Sequence, residues 1–211
     1  MTTMDRRLAV CTVAGVTDVT ELILADHAWF RLQFAALDAQ QATTPVDVPA
    51  LRQLWEPLGA RLDLHAAAEE RIFYPQLLKM GEENPAAETL DAIGDHNDIR
   101  DGVHDADRHP VGSAEWWAAV TRARVANDEH MAEEEHEGIS DFRLHAPSGL
   151  REALGRQFAD FLDLHRTTVG VDVSDKDPQA YVDAVEQQLH ETGNEDPSGD
   201  TSLGIGSLKG R

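Results

Sequence analysis

The sequence predicts an all-α fold, an antiparallel up-down-up-down four-helix bundle with one or two additional C-terminal helices. Three observations carry this. Apolar residues recur at helical spacing along four long segments. The alternation and Asn-Gly or Asp-Gly turns of β-hairpins are not sustained anywhere. The composition is 41% hydrophobic but only 6% aromatic, and rich in alanine, the best helix former.

The first helix is expected from Thr17/Asp18, good N-cap residues, to about Gln40, with Ile23, Leu24, Phe30, Phe34 and Leu37 inward. After a loop with two prolines, the second is expected from about Pro49 to Met80. Its stripe is Leu51, Leu54, Leu58, Leu62 and Ile72, and Pro57 predicts a kink or a restart. The third covers about Ala86–Asp107 and stops before His109-Pro110. The fourth follows Ser113, an N-cap, and runs to about Ile139. A fifth is expected over about Ser148–Thr167 and a sixth after Asp177-Pro178, whose proline suits a first helical turn. The organisation predicted is an N-terminal extension over 1–16, the bundle over 17–140, a helical extension over 141–190 and a Gly/Ser/Asp-rich flexible tail over 191–211.

The formal net charge is −21, from 39 acidic and 18 basic residues. Nucleic acid and anionic membrane surfaces both require clustered Lys and Arg, so neither is expected as a partner. No apolar run reaches the roughly 20 residues of a membrane span, and no leader with a clear cleavage site is read. Cys11 is the only cysteine, which leaves no intramolecular disulfide and no thiolate-rich metal site. A cytoplasmic protein is the expectation.

The chemistry lies in the histidines. His27, His65, His96 and His130 each fall near the middle of a different expected helix, on its apolar stripe. His27 has Ile23 and Phe30 on its face, His65 has Leu58 and Leu62, His96 has Ile93 and Val103, and His130 has Val120 and Ala123. The four are 38, 31 and 34 residues apart, one helix and one loop each time, so an antiparallel bundle brings them to one height. Two carry a carboxylate at i+4: His65 with Glu69 and His130 with Glu134. Both occurrences read H-x-x-x-E-E. An ionised glutamate in an apolar core is costly unless a cation compensates it. Imidazole nitrogens with bridging carboxylates suit two iron ions. A ferritin-like site would need paired Glu-x-x-His motifs, and Glu133-x-x-His136 stands alone.

With this order of ligands, one element per helix, the sequence resembles the hemerythrin-like family, the HHE cation-binding domains, in its longer actinobacterial form. The resemblance covers about residues 17–140. It implies a four-helix bundle holding two iron ions with an oxo or hydroxo bridge, with manganese and zinc ranked below iron. By carry-over, His27, His65, His96 and His130 are terminal ligands, and Glu69 and Glu134 bridge. The oxygen carriers of that family have a fifth histidine where this chain has Arg100. They also have an Asp five residues after the last His, where this chain has Glu134 at four.

Both irons would then be reachable by a small molecule. The expected function is redox chemistry on hydrogen peroxide or dioxygen, catalase- or peroxidase-like. The alternative is a module that binds, senses or stores oxygen, nitric oxide or iron without turnover. The expected partners are these small molecules. Candidates for supporting the ligands from behind are Arg100, His104, Glu70 and Glu135, with a structural role the preferred reading for His104. Arg100 has two readings, orienting peroxide or a surface salt bridge. Glu70 and Glu135 are expected to be solvated or salt-bridging, with orientation of a ligand as the other reading. Tyr74, nine residues after His65, is expected to rotate off the ligand stripe. His165 and Trp116 read as packing residues, and His109, His136, His145 and His190 as surface or loop.

Overall fold

A computed structural model describes residues 18–42 and 45–193. The expected N-terminal extension and most of the expected tail lie outside the described residues. Those described form helices and connections, with no strand among them.

Helix α1 spans Val19–Gln41, and its N-cap Asp18 accepts the Thr20 N–H at 2.9 Å. Helix α2 spans Val48–Ala68, capped by Asp47 through the Ala50 N–H. Here the structure departs from expectation. Pro57 neither restarts nor ends the helix. The irregularity comes a dozen residues later, as a π-helical turn over Glu69–Phe73 in which the Tyr74 N–H reaches the Glu69 carbonyl. Helix α3, Tyr74–Met80, continues the rod. Such turns insert one extra residue and rotate the helix beyond them.

Helix α4 spans Pro85–Ala106, with its proline in the first turn where a missing N–H costs nothing. Helix α5 spans Ala114–His136, and the Ser113 hydroxyl caps it by accepting the Trp116 N–H at 3.1 Å. The fourth rod was expected to run to Ile139. It breaks instead at Glu137 (φ −106°, ψ −84°), and a separate short helix α6 comes next, Gly138–His145. Helix α7 spans Ser148–Leu164, and α8 spans Pro178–Gly193. The last residues of α8, 191–193, were expected in the tail.

Cross-helix pairs run in opposite order along two pairs of rods. Asp38 meets Arg124 and His27 meets Glu135 between α1 and α5. Trp55 meets Asp107 and Glu70 meets His96 between α2–α3 and α4. The α4–α5 contact is the most extensive, and Gly102 makes it possible: a Cβ there would lie 2.6–2.8 Å from Ala123. Helix α7 packs on α1 and α2, and α8 packs on α4.

The core divides in two. One apolar cluster gathers Ile23, Leu64, Phe73, Leu77, Ile93, Ile139, Phe142 and Phe158. The other gathers Phe30, Phe34, Leu51, Trp55, Leu58, Ile99, Val103, Trp116 and Met131. On α1, α2 and α4 the candidate histidine lies between residues of the first cluster and residues of the second, and on the fourth rod His130 lies between the second cluster and Ile139 of α6, so a polar layer is buried between two apolar ones.

Candidate metal centre

His27, His65, His96 and His130 are 0 to 4% exposed, and Glu69 and Glu134 are 0 and 6% exposed. The four imidazoles converge. The His96 and His130 ring centroids are 4.6 Å apart, those of His27 and His65 5.3 Å, and those of His27 and His130 6.5 Å.

All four rings present the same edge inward. The His65 Nε2 lies 2.9 Å from Glu69 Oε1, and the His96 Nε2 lies 3.3 Å from Glu69 Oε2. The His96 and His130 Nε2 atoms face each other at 3.2 Å. The His27 Nε2 lies 3.4 Å from Glu134 Oε2. Two three-donor groups result, His27–His65–Glu69 and Glu69–His96–His130. In each, the donor atoms lie within 4.8 Å of one another, and Glu69 is common to both. Glu134 stands beside these groups, with one oxygen toward His27 and the other accepting the Tyr74 hydroxyl at 3.0 Å.

The outer edges are as ordered. Each Nδ1 faces a carboxylate: His27 with Glu135 at 2.9 Å, His65 with Asp26 at 2.9 Å, His96 with Glu70 at 3.0 Å and His130 with Asp95 at 3.6 Å. A carboxylate behind an imidazole selects the tautomer whose Nε2 lone pair is free, and raises its basicity. Cations clamp three of the four carboxylates. Arg31 holds Glu135 at 2.9 Å and Arg61 holds Asp26 at 2.7 Å. Glu70 takes both Arg100, at 2.6 Å, and Lys176, at 2.9 Å. Asn97 pins the Lys176 backbone by two hydrogen bonds, and the Tyr181 hydroxyl donates to the Glu70 carbonyl at 2.5 Å.

The donor set fits metal. His27 Nε2, His65 Nε2, both oxygens of Glu69 and Glu134 Oε2 are buried without a hydrogen-bond partner. Leaving so many polar atoms unsatisfied in a core is expensive, and cations between them supply what is missing. Six carboxylates, in and behind the centre, stand against four Arg and Lys side chains, an excess of two negative charges. Without metal, protons answer that excess. Burial alone would push the His65 imidazolium down, but Glu69 and Asp26 outweigh it and hold it up at about 10. Burial pushes Glu70 up, but His96, Arg100 and Lys176 overcome it and bring it to about 2. The Tyr74 phenol is driven well up by burial, and further by Glu134, Glu69 and Glu70, so it stays a donor.

A family model, the hemerythrin HHE cation binding domain, matches residues 18–138. The chain belongs to the hemerythrin HHE cation-binding family. Neither a comparison with curated proteins nor one with solved structures found a significant match. The matched stretch of the hemerythrin domain contains all six candidate donors and the four carboxylates behind them. Lys176 and Tyr181, which reach Glu70 from α8 and the segment before it, lie beyond it.

Several expectations need correction. Tyr74 was expected to point away, but the π-turn between it and His65 rotates it onto Glu134. Arg100 is not at the surface. It is fully buried and occupied with Glu70, behind His96, so its bonded Nη2 is not directed at the space between the donors. Glu70 and Glu135 are salt-bridging, as one reading expected, and each also backs a histidine, as the other did. His104 turns outward to Asp63 at 3.2 Å with its side chain 40% exposed. His165 packs as expected, at the end of α7 with its ring 4.7 Å from Phe161.

Asp26, Asp95, Arg31 and Arg61 were not picked out from the sequence, though a signal existed. The chain contains D-H-x-x-x-R twice, Asp26-His27 with Arg31 and Asp95-His96 with Arg100. Each copy is followed one helix later by H-x-x-x-E-E. The two halves serve each other: Arg31 clamps Glu135, and Arg100 clamps Glu70.

Proposed function

We propose that this hemerythrin-like chain holds two metal ions, iron by the character of the donors, and reacts there with dioxygen or hydrogen peroxide. The observation that carries it is the sharing of Glu69 between two groups of buried donors, each completed by two imidazoles. Two adjacent imidazole–carboxylate sites suit iron. His27, His65 and Glu69 would hold one ion, and His96, His130 and Glu69 the other, with Glu134 beside them. When bound, the pair would supply two-electron storage and polarisation of an oxygen–oxygen bond.

The protein's own part is positioning and exclusion. The four Nδ1–carboxylate contacts orient the imidazoles and make their inward Nε2 atoms more basic toward a cation. Phe30 and Phe158, with ring centroids 5.1 and 5.9 Å from that of His65, close that flank to water and to bulky substrates. The Tyr74 hydroxyl, held protonated, offers a hydrogen bond at Glu134. A peroxide-disproportionating activity consumes two hydrogen peroxide molecules and yields one dioxygen and two waters, needing no outside electron donor.

The test is protein prepared with ample iron. Metal analysis should give about two irons per chain, with near-ultraviolet absorption absent from a zinc-loaded sample. An oxygen electrode should record dioxygen release on adding peroxide. One metal per chain, or a His65→Ala variant that keeps both, overturns the ligand assignment. A stable, reversible oxygen adduct without peroxide turnover replaces the redox reading with that of a carrier.

A further inference from the structure

The two halves of the centre match except at one corner. In the first, Arg61 stands four residues before His65 and clamps Asp26, the carboxylate behind that histidine. The equivalent position in the second half, four residues before His130, is Ala126. Asp95, behind His130, therefore lacks the clamp that Asp26, Glu70 and Glu135 have, and among the described residues no Arg or Lys pairs with it. Its contact is the longest of the four, 3.6 Å, and its side chain is 30% exposed.

That corner opens to solvent through a cleft between α4 and α5. Its walls carry Glu88, Asp91, Asp95, Glu133 and Glu137, and no Lys or Arg lines it. Its floor is the centre itself, His130 and Glu134, both more than nine-tenths buried, and the Oε2 of Glu134 has no hydrogen-bond partner. The other three histidines are closed from behind by Arg31, by Arg61, and by Arg100 with Lys176. A cation approaching on those sides meets a fixed positive charge. Through the cleft it meets carboxylates all the way to an unsatisfied donor. Like charges lining a low-dielectric cleft focus the field and concentrate the opposite ion.

We propose that this acidic cleft is the port through which divalent transition-metal cations reach the paired donors. The proposal rests on the two-metal reading above. The port works by charge, and the absence of a cation at position 126 leaves Asp95 unclamped beside it.

Loading of the metal-free full chain with Co2+ under anaerobic conditions, followed by stopped-flow visible absorbance, tests it. Glu88→Gln/Asp91→Asn/Glu133→Gln should load about tenfold more slowly at low ionic strength and approach the parent in high salt, where screening removes the field. Its final Co2+ count should equal the parent's. Asp183→Asn/Glu186→Gln/Glu191→Gln, which removes three charges from the outer face of α8, should load at the parent rate. Ala126→Arg, which changes no wall residue and no donor, should also slow loading while leaving the final spectrum intact. Equal rates for parent and cleft variant, or equal slowing by the α8 variant, overturn the port. A parent that takes up no Co2+ at all overturns the metal reading itself. Circular dichroism melts identify an unfolded variant, and Ala126→Arg and the cleft triple variant give independent readings.

Discussion

Glu70 and Glu135 occupy equivalent places in the two halves, yet their surroundings differ. Glu135 is 30% exposed and faces one arginine, whereas Glu70 is buried against Arg100 and Lys176. Either change to glutamine weakens the carboxylate behind a histidine, so each should lower metal affinity about 10- to 100-fold, read by competition with a chelator. Stability should separate them. Glu70→Gln strands a fully buried guanidinium, and breaking a buried ion pair costs about 3–5 kcal/mol. Glu135→Gln leaves Arg31 free to turn to water and should cost under about 1 kcal/mol. Equal melting temperatures for the two metal-free variants would contradict this account of Arg100.

Two local features of the helices hold the donors in register. The π-turn brings Tyr74 inward although the regular phase of the helix before it would turn it away. Arg71 lies exposed in that turn. Arg71→Ala should change stability by no more than about 0.5 kcal/mol, whereas deleting Arg71 should straighten the turn, rotate α3 out of the core and cost upwards of about 3 kcal/mol. A denaturant titration of the two variants checks the contrast. The other feature is Gly102. Its replacement by alanine forces α4 from α5 at Ala123 and should cost about 1–3 kcal/mol. Because His96 and His130 face each other across the same pair of helices, the change should also weaken metal binding.

For the molecule as a whole, the excess negative charge around the centre links metal, protons and folding. In the metal-free protein His65 is raised to about 10 and Glu70 is lowered to about 2. A raised histidine stabilises the fold fully below its unfolded value of 6.5, and that contribution is lost as pH climbs toward 10. A lowered glutamate stabilises fully above its unfolded value of 4.5, and that is lost as pH falls toward 2. The metal-free chain should therefore be most stable between those two unfolded values and weaken on the alkaline side. Metal replaces the protons, so the loaded protein should melt higher and keep its melting temperature above pH 7. Melting curves with and without metal from pH 4 to 10 decide this. Parallel curves would mean that the buried imidazoles carry no protons for metal to displace.

The sequence alone determined the helical class and the long rods, because helical periodicity and caps such as Asp18 and Ser113 are written within a few residues of where they act. It marked the six candidate donors too, since the i+4 pairs lie within single helices and the histidines recur once per helix. Family membership followed from that order and is shown by the match over 18–138. Tertiary structure decided what depends on pairs from different helices. Asp26 adjoins His27 in the chain but serves His65, and Asp95 adjoins His96 but serves His130. Arg100, which by position alone looked like a replaced ligand, became a buried clamp once Glu70 arrived from the neighbouring helix. Lys176 reaches the centre over a gap of more than 100 residues. Tyr74 turned inward because one extra residue in the turn before it shifted its phase, and its partner, Glu134, comes from another helix.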